Sequence, residues 1–342
     1  MRSDSSMRQT SSIHRRVHRA RREVDGINLS PIISALSAVN FSTLVRARAL
    51  IFLTVVAGCG AAGLFARREF DGRQAMRYVE AQMAFGPRVP NTGGHRRAGD
   101  WIRDQLAALA DSVEVQEFTH VAAQGDTLRL RNFIGRFRPE IRDRVLFLAH
   151  WDTRPRAERS PNLADQRRPV PGANDGASGV AVLLGVADAL KKLPPAGVGV
   201  DLLFVDGEDY GDFNDGRDVL LGSKHYAANL PAGTRPLYAV LFDMVGDQDL
   251  RIEKEGWSAE RAPEVVERVW AKARGLGYER YFTATVGGAI TDDHLPLLDA
   301  GVRAIDVIDL DYPWHHTTED TADKVTARSL QVVGDVAVAL LR

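Results

Sequence analysis

The hydrophobic pattern of the chain changes period at about Arg144. Before this residue, apolar positions recur with helical spacing in residues 71–84 and 95–110, and they alternate with polar positions in residues 113–118 and 127–137. Helical spacing predicts an amphipathic helix, whereas strict alternation predicts a half-buried strand. We therefore expect two helices followed by two antiparallel strands at the edge of a sheet.

Beyond Arg144 the predicted strands are continuous apolar runs, and helical segments separate them. This pattern is typical of a mostly parallel sheet that is buried on both faces. The sequence thus predicts a single three-layer α/β domain, with a mixed, mostly parallel sheet, antiparallel edge strands and helices on both faces. The predicted strands are residues 145–149, 200–205, 238–242 and 304–308, and the predicted helices are residues 177–190, 263–274 and 326–341.

Composition agrees with one large domain and argues against a nucleic-acid partner. Of the 342 residues, 44% are apolar, so the chain can bury a large core. Residues 1–48 carry 9 Lys and Arg against 3 Asp and Glu, which leaves 35 against 42 in the rest of the chain. Because this remainder is acidic, its field repels a nucleic-acid backbone.

A secretory signal is predicted ahead of the domain. Arg46 and Arg48 precede an apolar run at residues 49–56, and small residues then lead to Cys59. A charged segment, a short apolar segment and small residues form the layout of a signal peptide. The sequence VAGC at residues 56–59 resembles a bacterial lipobox, in which the cysteine becomes the lipidated first residue. The alternative is an uncleaved anchor helix, for which the run is short against the ~20 apolar residues of a span.

These features divide the chain into four segments. Residues 1–44 are expected to be a disordered extension or to precede the true start, and residues 45–58 to be a lipoprotein-type signal peptide. Residues 59–70 are expected to form a tether, and residues 71–342 the catalytic domain. The protein is accordingly predicted to be exported and held by a lipid at Cys59 on the periplasmic or cell-surface side of a bacterial membrane.

Chemically active side chains follow the predicted strands. In open α/β sheets the functional crevice lies at the carboxyl ends of the strands, so residues just past each strand are expected to meet there. An additional acidic residue precedes the helix at residues 177–190. The residues at these positions are His150 and Asp152, Asp175, Glu208 and Asp209, Asp243, and His315 with His316.

The residue types at this edge indicate a metal site. They offer oxygen and imidazole nitrogen and no thiolate, a set that suits catalytic zinc with three protein ligands and one open position. Manganese and cobalt accept the same ligands. Glu208 and Asp209 are neighbours that leave a strand on different sides, so we predict that one is a metal ligand and the other a general acid/base.

Six stretches, taken together and in order, resemble the M28 zinc peptidase superfamily, which holds aminopeptidases and glutaminyl cyclases. The resemblance covers about residues 71–342, and the motifs are most similar to those of the bacterial glutaminyl-peptide cyclotransferases. The stretches are LAHWDT (148–153), PGANDGASG (171–179), FVDGEDYG (204–211), FDMVG (242–246), TDDHLP (291–296) and WHHTTED (314–320).

The resemblance implies roles for particular residues. Asp175, Asp209 and His316 match the zinc ligands, and Glu208 matches the general acid/base. Asp243 and Asp292 match the acidic pair beside the reacting amide. The implied substrate is the N-terminus of a peptide or protein that begins with glutamine, and the implied product is pyroglutamate with release of ammonia.

Two departures keep alternatives open. The cyclases place Trp directly before the ligand histidine, whereas here His315 stands there and Trp314 precedes it, so either His315 or His316 fits the ligand by position. In the dinuclear aminopeptidases of the superfamily, the residues that match His150 and Asp243 hold a second metal, so one zinc or two is compatible with the sequence. A two-zinc aminopeptidase is the alternative enzyme, and a non-catalytic peptide-binding homologue is a third hypothesis.

Overall fold

The computed structural model describes residues 69–230 and 235–342, which lie within one compact unit spanning Arg68–Arg342. The predicted signal peptide, Cys59 and almost all of the predicted tether lie outside the described residues. Among the helices that are described, none is both long enough and apolar enough to cross a bilayer.

A six-stranded mixed sheet forms the centre of the domain. Its strands are β1 (Ser112–Val121), β2 (Thr127–Phe137), β3 (Arg144–His150), β4 (Gly199–Val205), β5 (Tyr238–Asp243) and β8 (Ala304–Ile308). They lie in the order β1-β2-β4-β3-β5-β8. The β1–β2 hairpin forms one edge and pairs antiparallel through β2 with β4, whereas β4, β3, β5 and β8 are parallel. The predicted α/β fold with a mostly parallel sheet is confirmed.

Eight α-helices and a small second sheet complete the described part of the chain. The second sheet consists of β6 (Ile252–Lys254) and β7 (Phe282–Val286). The helices are α1 (Gly72–Met83), α2 (Gly93–Leu109), α3 (Ala177–Lys192), α4 (Leu221–Ala228), α5 (Gly256–Arg261), α6 (Pro263–Gly275), α7 (His294–Asp299) and α8 (Ala327–Ala339).

Helix α3 is the central helix of one face. It packs on β3 and β5, it contacts α1 and α8, and nearly all of its side chains are buried. It approaches β5 closely, because a Cβ atom at Gly179 would lie only 2.1 Å from the carbonyl oxygen of Phe242. All residues of β4 and β5 are buried, which requires that the opposite face be covered as well. There α4 packs on β2 and β4, and α7 on β5 and β8.

The elements that the hydrophobic pattern did not predict are short. Helices α4, α5 and α7 have six to eight residues, and β6 and β7 have three to five. Two turns of helix or three residues of strand carry too few apolar positions to establish a period. Their placement depends on packing against the large sheet, which the local sequence does not encode.

Candidate metal centre

Three neighbouring strands bring polar side chains to one edge of the sheet. His150 and Asp243 are the last residues of β3 and β5, and Glu208 and Asp209 follow β4. Since β4 lies on one side of β3 and β5 on the other, the chain reverses its direction across the sheet at β3. Such a reversal opens a crevice at the carboxyl ends of the strands, which is the ligand site of open α/β sheets.

Asp175 reaches this crevice from the turn that begins α3. Gly176 has a φ of 93°, and a Cβ atom there would lie 2.9 Å from the carbonyl oxygen of Asp152, so only glycine fits the turn. The carboxylate of Asp320 accepts hydrogen bonds from the backbone N–H groups of Asn174 (2.8 Å) and Asp175 (3.1 Å). The turn is therefore fixed by Asp320, and the side chain of Asp175 remains available for other contacts.

Two non-glycine residues at the crevice have left-handed backbone conformations. Met244, directly after β5, has a φ of 46°, and His316 has a φ of 57°. This region is unfavourable for residues with a Cβ atom, and such strain concentrates at functional sites. The conformation of His316 turns its ring towards Asp175 and Asp209, with its Nε2 atom 3.7 Å from Asp175 Oδ2 and 3.4 Å from Asp209 Oδ1.

The donor atoms at this point fit a zinc ion. Asp175 Oδ2 and Asp209 Oδ2 are buried and have no hydrogen-bond partner among the described residues. A buried carboxylate oxygen without a partner is costly, so a cation is the natural counterpart. Two carboxylates and one imidazole also match the ligand number and type of a catalytic zinc site with an open position. Asp175, Asp209 and His316 are therefore able to hold the metal.

A second group of possible ligands shares Asp175. His150, Asp175 and Asp243 are all buried, with ligand atoms within 4.8 Å of one another. Here the atoms are already paired, because His150 Nε2 donates to Asp243 Oδ1 at 3.1 Å and lies 3.2 Å from Asp175 Oδ1. A metal at this position would have to displace the His150 proton.

The two adjacent histidines have different surroundings. His315 Nε2 is 4.0 Å from Asp175 Oδ2, and its Nδ1 atom contacts Arg159. Burial and the neighbouring His316 lower the pKa of His315 to about 3. For His316, burial lowers the pKa, but Asp209 and Glu158 outweigh this effect and raise it to about 9. His316 thus lies within 3.7 Å of two carboxylates of the candidate site, and His315 approaches only one.

Glu208 lies beside these ligands and has a perturbed pKa. Burial raises the pKa of Glu208 well above its ordinary value, and the charges of Asp209 and Asp292 add to this effect against the opposing charge of His150. The carboxylate of Asp152 accepts the backbone N–H groups of Glu208 (3.1 Å) and Asp209 (3.3 Å), which fixes the turn after β4. A carboxylate with a raised pKa is a stronger base than an ordinary glutamate, so next to a metal site it can take up a proton and return it.

Asp292 faces the same cleft as Glu208 and Asp243. Burial raises the pKa of Asp292 well above its ordinary value, and the charges of Asp243 and Asp293 raise it further. The cleft has a volume of about 540 Å³, and the apolar side chains of Ile290 and Leu310 lie in its wall. Six of the sequence-predicted site residues line this cleft, namely Asp175, Glu208, Asp243, Asp292, His315 and His316. His150 and Asp209 adjoin it through their contacts with Asp175 and His316, respectively.

Sequence reasoning missed the residues that hold the site from outside. Arg154 donates to Asp209 Oδ1 at 2.7 Å and to Glu158 at 2.7 Å, and Glu158 accepts from His316 Nδ1 at 2.9 Å. Partial burial raises the pKa of Glu158, but His316 and Arg154 lower it to about 2. The only local signal is the four-residue spacing of Arg154 and Glu158, which is common in exposed segments.

Sequence reasoning also gave no indication that Arg88 is buried beside the site. Arg88 is fully buried and donates to the backbone carbonyls of Trp151 (2.9 Å), Pro171 (3.1 Å) and Gly172 (2.6 Å). It therefore joins the segment after β3 to the turn that carries Asp175. Because its partners are backbone atoms, no pattern of side chains in the sequence indicates this contact.

The chain is similar to proteins of one known family. The model of peptidase family M28 matches residues 132–341. Glutaminyl cyclase from Tannerella forsythia is 38% identical with a TM-score of 0.76, and the match covers 80% of this chain and 98% of that chain. A Zn-dependent exopeptidase from Parabacteroides distasonis is 37% identical with a TM-score of 0.77, with 80% and 98% covered.

Aminopeptidase YwaD from Bacillus subtilis is 27% identical over 73% of this chain. The chain spans about half the length of that aminopeptidase. The family inferred from the six motifs is confirmed, since its model covers more than half of the sequence. The chain therefore belongs to peptidase family M28.

Proposed function

We propose that this protein is a zinc-dependent glutaminyl-peptide cyclotransferase, which converts N-terminal glutamine of peptides to pyroglutamate and releases ammonia. The observation that carries this proposal is the contrast between the two groups of ligands. Oδ2 of Asp175 and of Asp209 are unpartnered among the described residues, whereas Nε2 of His150 already contacts both Asp243 and Asp175. This supports one metal, with Asp243 left to bind substrate.

The residues of the cleft can carry out the reaction in one sequence of proton transfers. Zinc, when bound by Asp175, Asp209 and His316, supplies Lewis-acid polarisation of the side-chain amide carbonyl. The α-amino nitrogen of the substrate forms a bond to the carbon of the side-chain amide, and Glu208 takes a proton from this nitrogen. The bond between this carbon and the amide nitrogen breaks, and Glu208 returns the proton to the leaving ammonia.

Asp243 and Asp292 have the positioning role in this mechanism. Their carboxyl groups lie in the cleft with Glu208, and each is buried. Burial, and then the charges of Asp243 and Asp293, raise the pKa of Asp292 well above its ordinary value, so Asp292 is able to keep a proton. A protonated Asp292 can donate to the amide group of the substrate while Asp243 accepts from it, which holds the amide beside Glu208.

A metal-dependent aminopeptidase is the second candidate. The group His150, Asp175 and Asp243 favours it, because its ligand atoms lie within 4.8 Å of one another and could hold a second zinc. The two-metal arrangement would activate water and hydrolyse the first peptide bond. The relatives include both a glutaminyl cyclase and an aminopeptidase, so the reaction must be measured.

One assay separates these functions. We expect a glutamine-initiated peptide to release ammonia without any shortening of the chain, and we expect a zinc chelator to abolish the reaction. The same peptide with leucine in the first position is the matched control and is expected to remain intact. Release of free amino acids from either peptide, with two zinc ions per chain by elemental analysis, would instead establish the aminopeptidase.

We further propose that the enzyme is exported and anchored by a lipid at Cys59. The basis is the charged and apolar layout before this residue, which is given in the sequence. Mass spectrometry of the N-terminus of the mature protein is expected to find Cys59 as the first residue, carrying acyl chains. A mature protein that retains residues 1–44 contradicts the proposed signal, and Cys59→Ala provides the unprocessed control.

A further inference from the structure

The adjacent histidines His315 and His316 contact two other adjacent residues, one basic and one acidic. Glu158 Oε1 lies 2.9 Å from Nδ1 of His316, and Nη1 of Arg159 lies 3.0 Å from Nδ1 of His315. The segments that carry them are joined through their backbones, since Arg159 N–H donates to the carbonyl oxygen of His316 at 3.2 Å. Thr318 N–H donates to Ser160 Oγ at 3.0 Å, which adds a second connection.

The chemistry of each partner fixes the proton on the ring that it contacts. An ionised carboxylate only accepts hydrogen bonds, so Nδ1 of His316 must carry a proton when it contacts Glu158. In the neutral ring the lone pair is then on Nε2, where a metal can bind. A guanidinium only donates, so Nδ1 of His315 must be unprotonated when it contacts Arg159. The proton of a neutral His315 ring is then on Nε2.

Of these two tautomers, only the one protonated on Nδ1 can bind a metal through Nε2. His316 Nε2 faces Asp175 and Asp209, at 3.7 and 3.4 Å from their nearest oxygens. His315 Nε2 also faces Asp175, at 4.0 Å, so distance alone does not exclude it as a ligand. A protonated Nε2 atom has no lone pair to offer, and this difference separates the two histidines.

We propose that Glu158 and Arg159 are positioning residues that select the zinc ligand, by holding His316 with a free Nε2 lone pair and His315 with a protonated Nε2. This inference rests on the zinc site of the proposed function, but it is independent of the reaction that the zinc supports. Outer residues that hold the second nitrogen of a histidine ligand commonly set its tautomer and orientation. Here Glu158 holds His316 in the tautomer that can bind zinc, and Arg159 holds His315 in the tautomer that cannot.

Arg154 stabilises the contact between Glu158 and His316. It contacts Glu158 and also Asp209, so the same guanidinium connects the carboxylate that orients His316 with a second zinc ligand. The Arg154 side chain is 10% exposed, whereas that of Glu158 is 42% exposed. Glu158 is thus held in place from the buried side, although it lies partly in solvent.

Zinc affinity tests the role of Glu158. By competition with a coloured chelator, Glu158→Ala is expected to bind zinc about 10–100-fold more weakly than the wild type. Glu158→Gln is expected to recover most of this loss, because its amide oxygen can still accept from Nδ1. The control is Glu267→Ala, which removes another arginine-paired glutamate on α6. Equal zinc affinity in the Glu158→Ala variant and the wild type would overturn this part of the proposal.

Histidine tautomers test the role of Arg159. In the zinc-loaded wild type, ¹⁵N NMR of the imidazole nitrogens is expected to show a protonated Nε2 on His315 and a metal-bound Nε2 on His316. In Arg159→Ala, His315 is expected to become a mixture of both tautomers, while Arg168→Ala, which removes a paired arginine of the same loop, keeps the wild-type spectrum. A His315 ring that stays fully Nε2-protonated without Arg159 contradicts the proposal.

Two further variants separate this proposal from the proposed reaction. His316→Ala is expected to lose zinc, and His315→Ala is expected to retain it at wild-type affinity. The opposite result would make His315 the ligand and overturn the selection. None of these measurements depends on turnover, so failure to release ammonia from a glutamine peptide would contradict the cyclase and leave the ligand selection intact.

Discussion

Glu208→Gln is expected to keep its zinc and lose about 10²–10⁴-fold in turnover, the range that a positioned general acid/base contributes. Glutamine has nearly the shape of glutamate but cannot take up and return a proton. Glu208 is not one of the three residues proposed as ligands, which are Asp175, Asp209 and His316, so the metal should remain in place. Zinc content by elemental analysis and the rate of ammonia release measure the two effects on one sample.

Glu319→Gln makes the same chemical change at an exposed position three residues from His316, and wild-type turnover is expected there. If Glu208→Gln retained full turnover, the proton transfer would have to be assigned to another group in the cleft. If it lost zinc together with turnover, Glu208 would be a ligand and not a shuttle. Either result would contradict the division of labour between Glu208 and Asp209.

Asp209→Ala is expected to lose zinc altogether at metal concentrations that saturate the wild type. The substitution removes a ligand oxygen, and it also removes the carboxylate that Arg154 contacts at 2.7 Å. The guanidinium would then keep only Glu158 as a charged partner, so its positive charge would repel a divalent cation at the site more strongly. The loss of affinity should therefore exceed the roughly 10–100-fold effect of removing an outer partner.

Asp215→Ala is the matched control for this change, because it removes an aspartate that pairs with an arginine, Arg217, in the exposed loop that follows β4. Circular dichroism and thermal unfolding of the metal-free proteins show whether Asp209→Ala remains folded. We expect that it does, since Arg154 keeps its contact with Glu158. A folded Asp209→Ala variant with wild-type zinc affinity would remove Asp209 from the ligand set.

The sequence was sufficient to predict the sheet and the edge at which the site lies. Continuous apolar runs predicted β3, β4, β5 and β8, and the residues after them included His150, Glu208 and Asp243. Such predictions succeed because the side chains of a parallel strand that is buried on both faces are mostly apolar. Polar side chains inside these strands are few, as at Asp201 and Asp306, and those of the crevice stand where the strands end. The family motifs then supplied the roles, which periodicity alone left open.

What the sequence could not supply were contacts between distant segments that involve ordinary residue types. Arg154 and Glu158 lie in a loop with no period, and their partners Asp209 and His316 are 55 and 158 residues away. Which nitrogen of a histidine carries the proton depends on such partners, so the ambiguity between His315 and His316 has no resolution at the level of residue spacing. Short elements such as α4 and α7 were missed for a related reason, because packing and not pattern determines them.

The contacts of Arg88 and Asp320 bear on what zinc removal does to the fold. Arg88 joins the segments that flank the crevice, and Asp320 closes the turn of Asp175, through hydrogen bonds between protein atoms. In small zinc domains, by contrast, the fold itself depends on the metal. Removal of zinc by a chelator is therefore expected to leave these two segments folded.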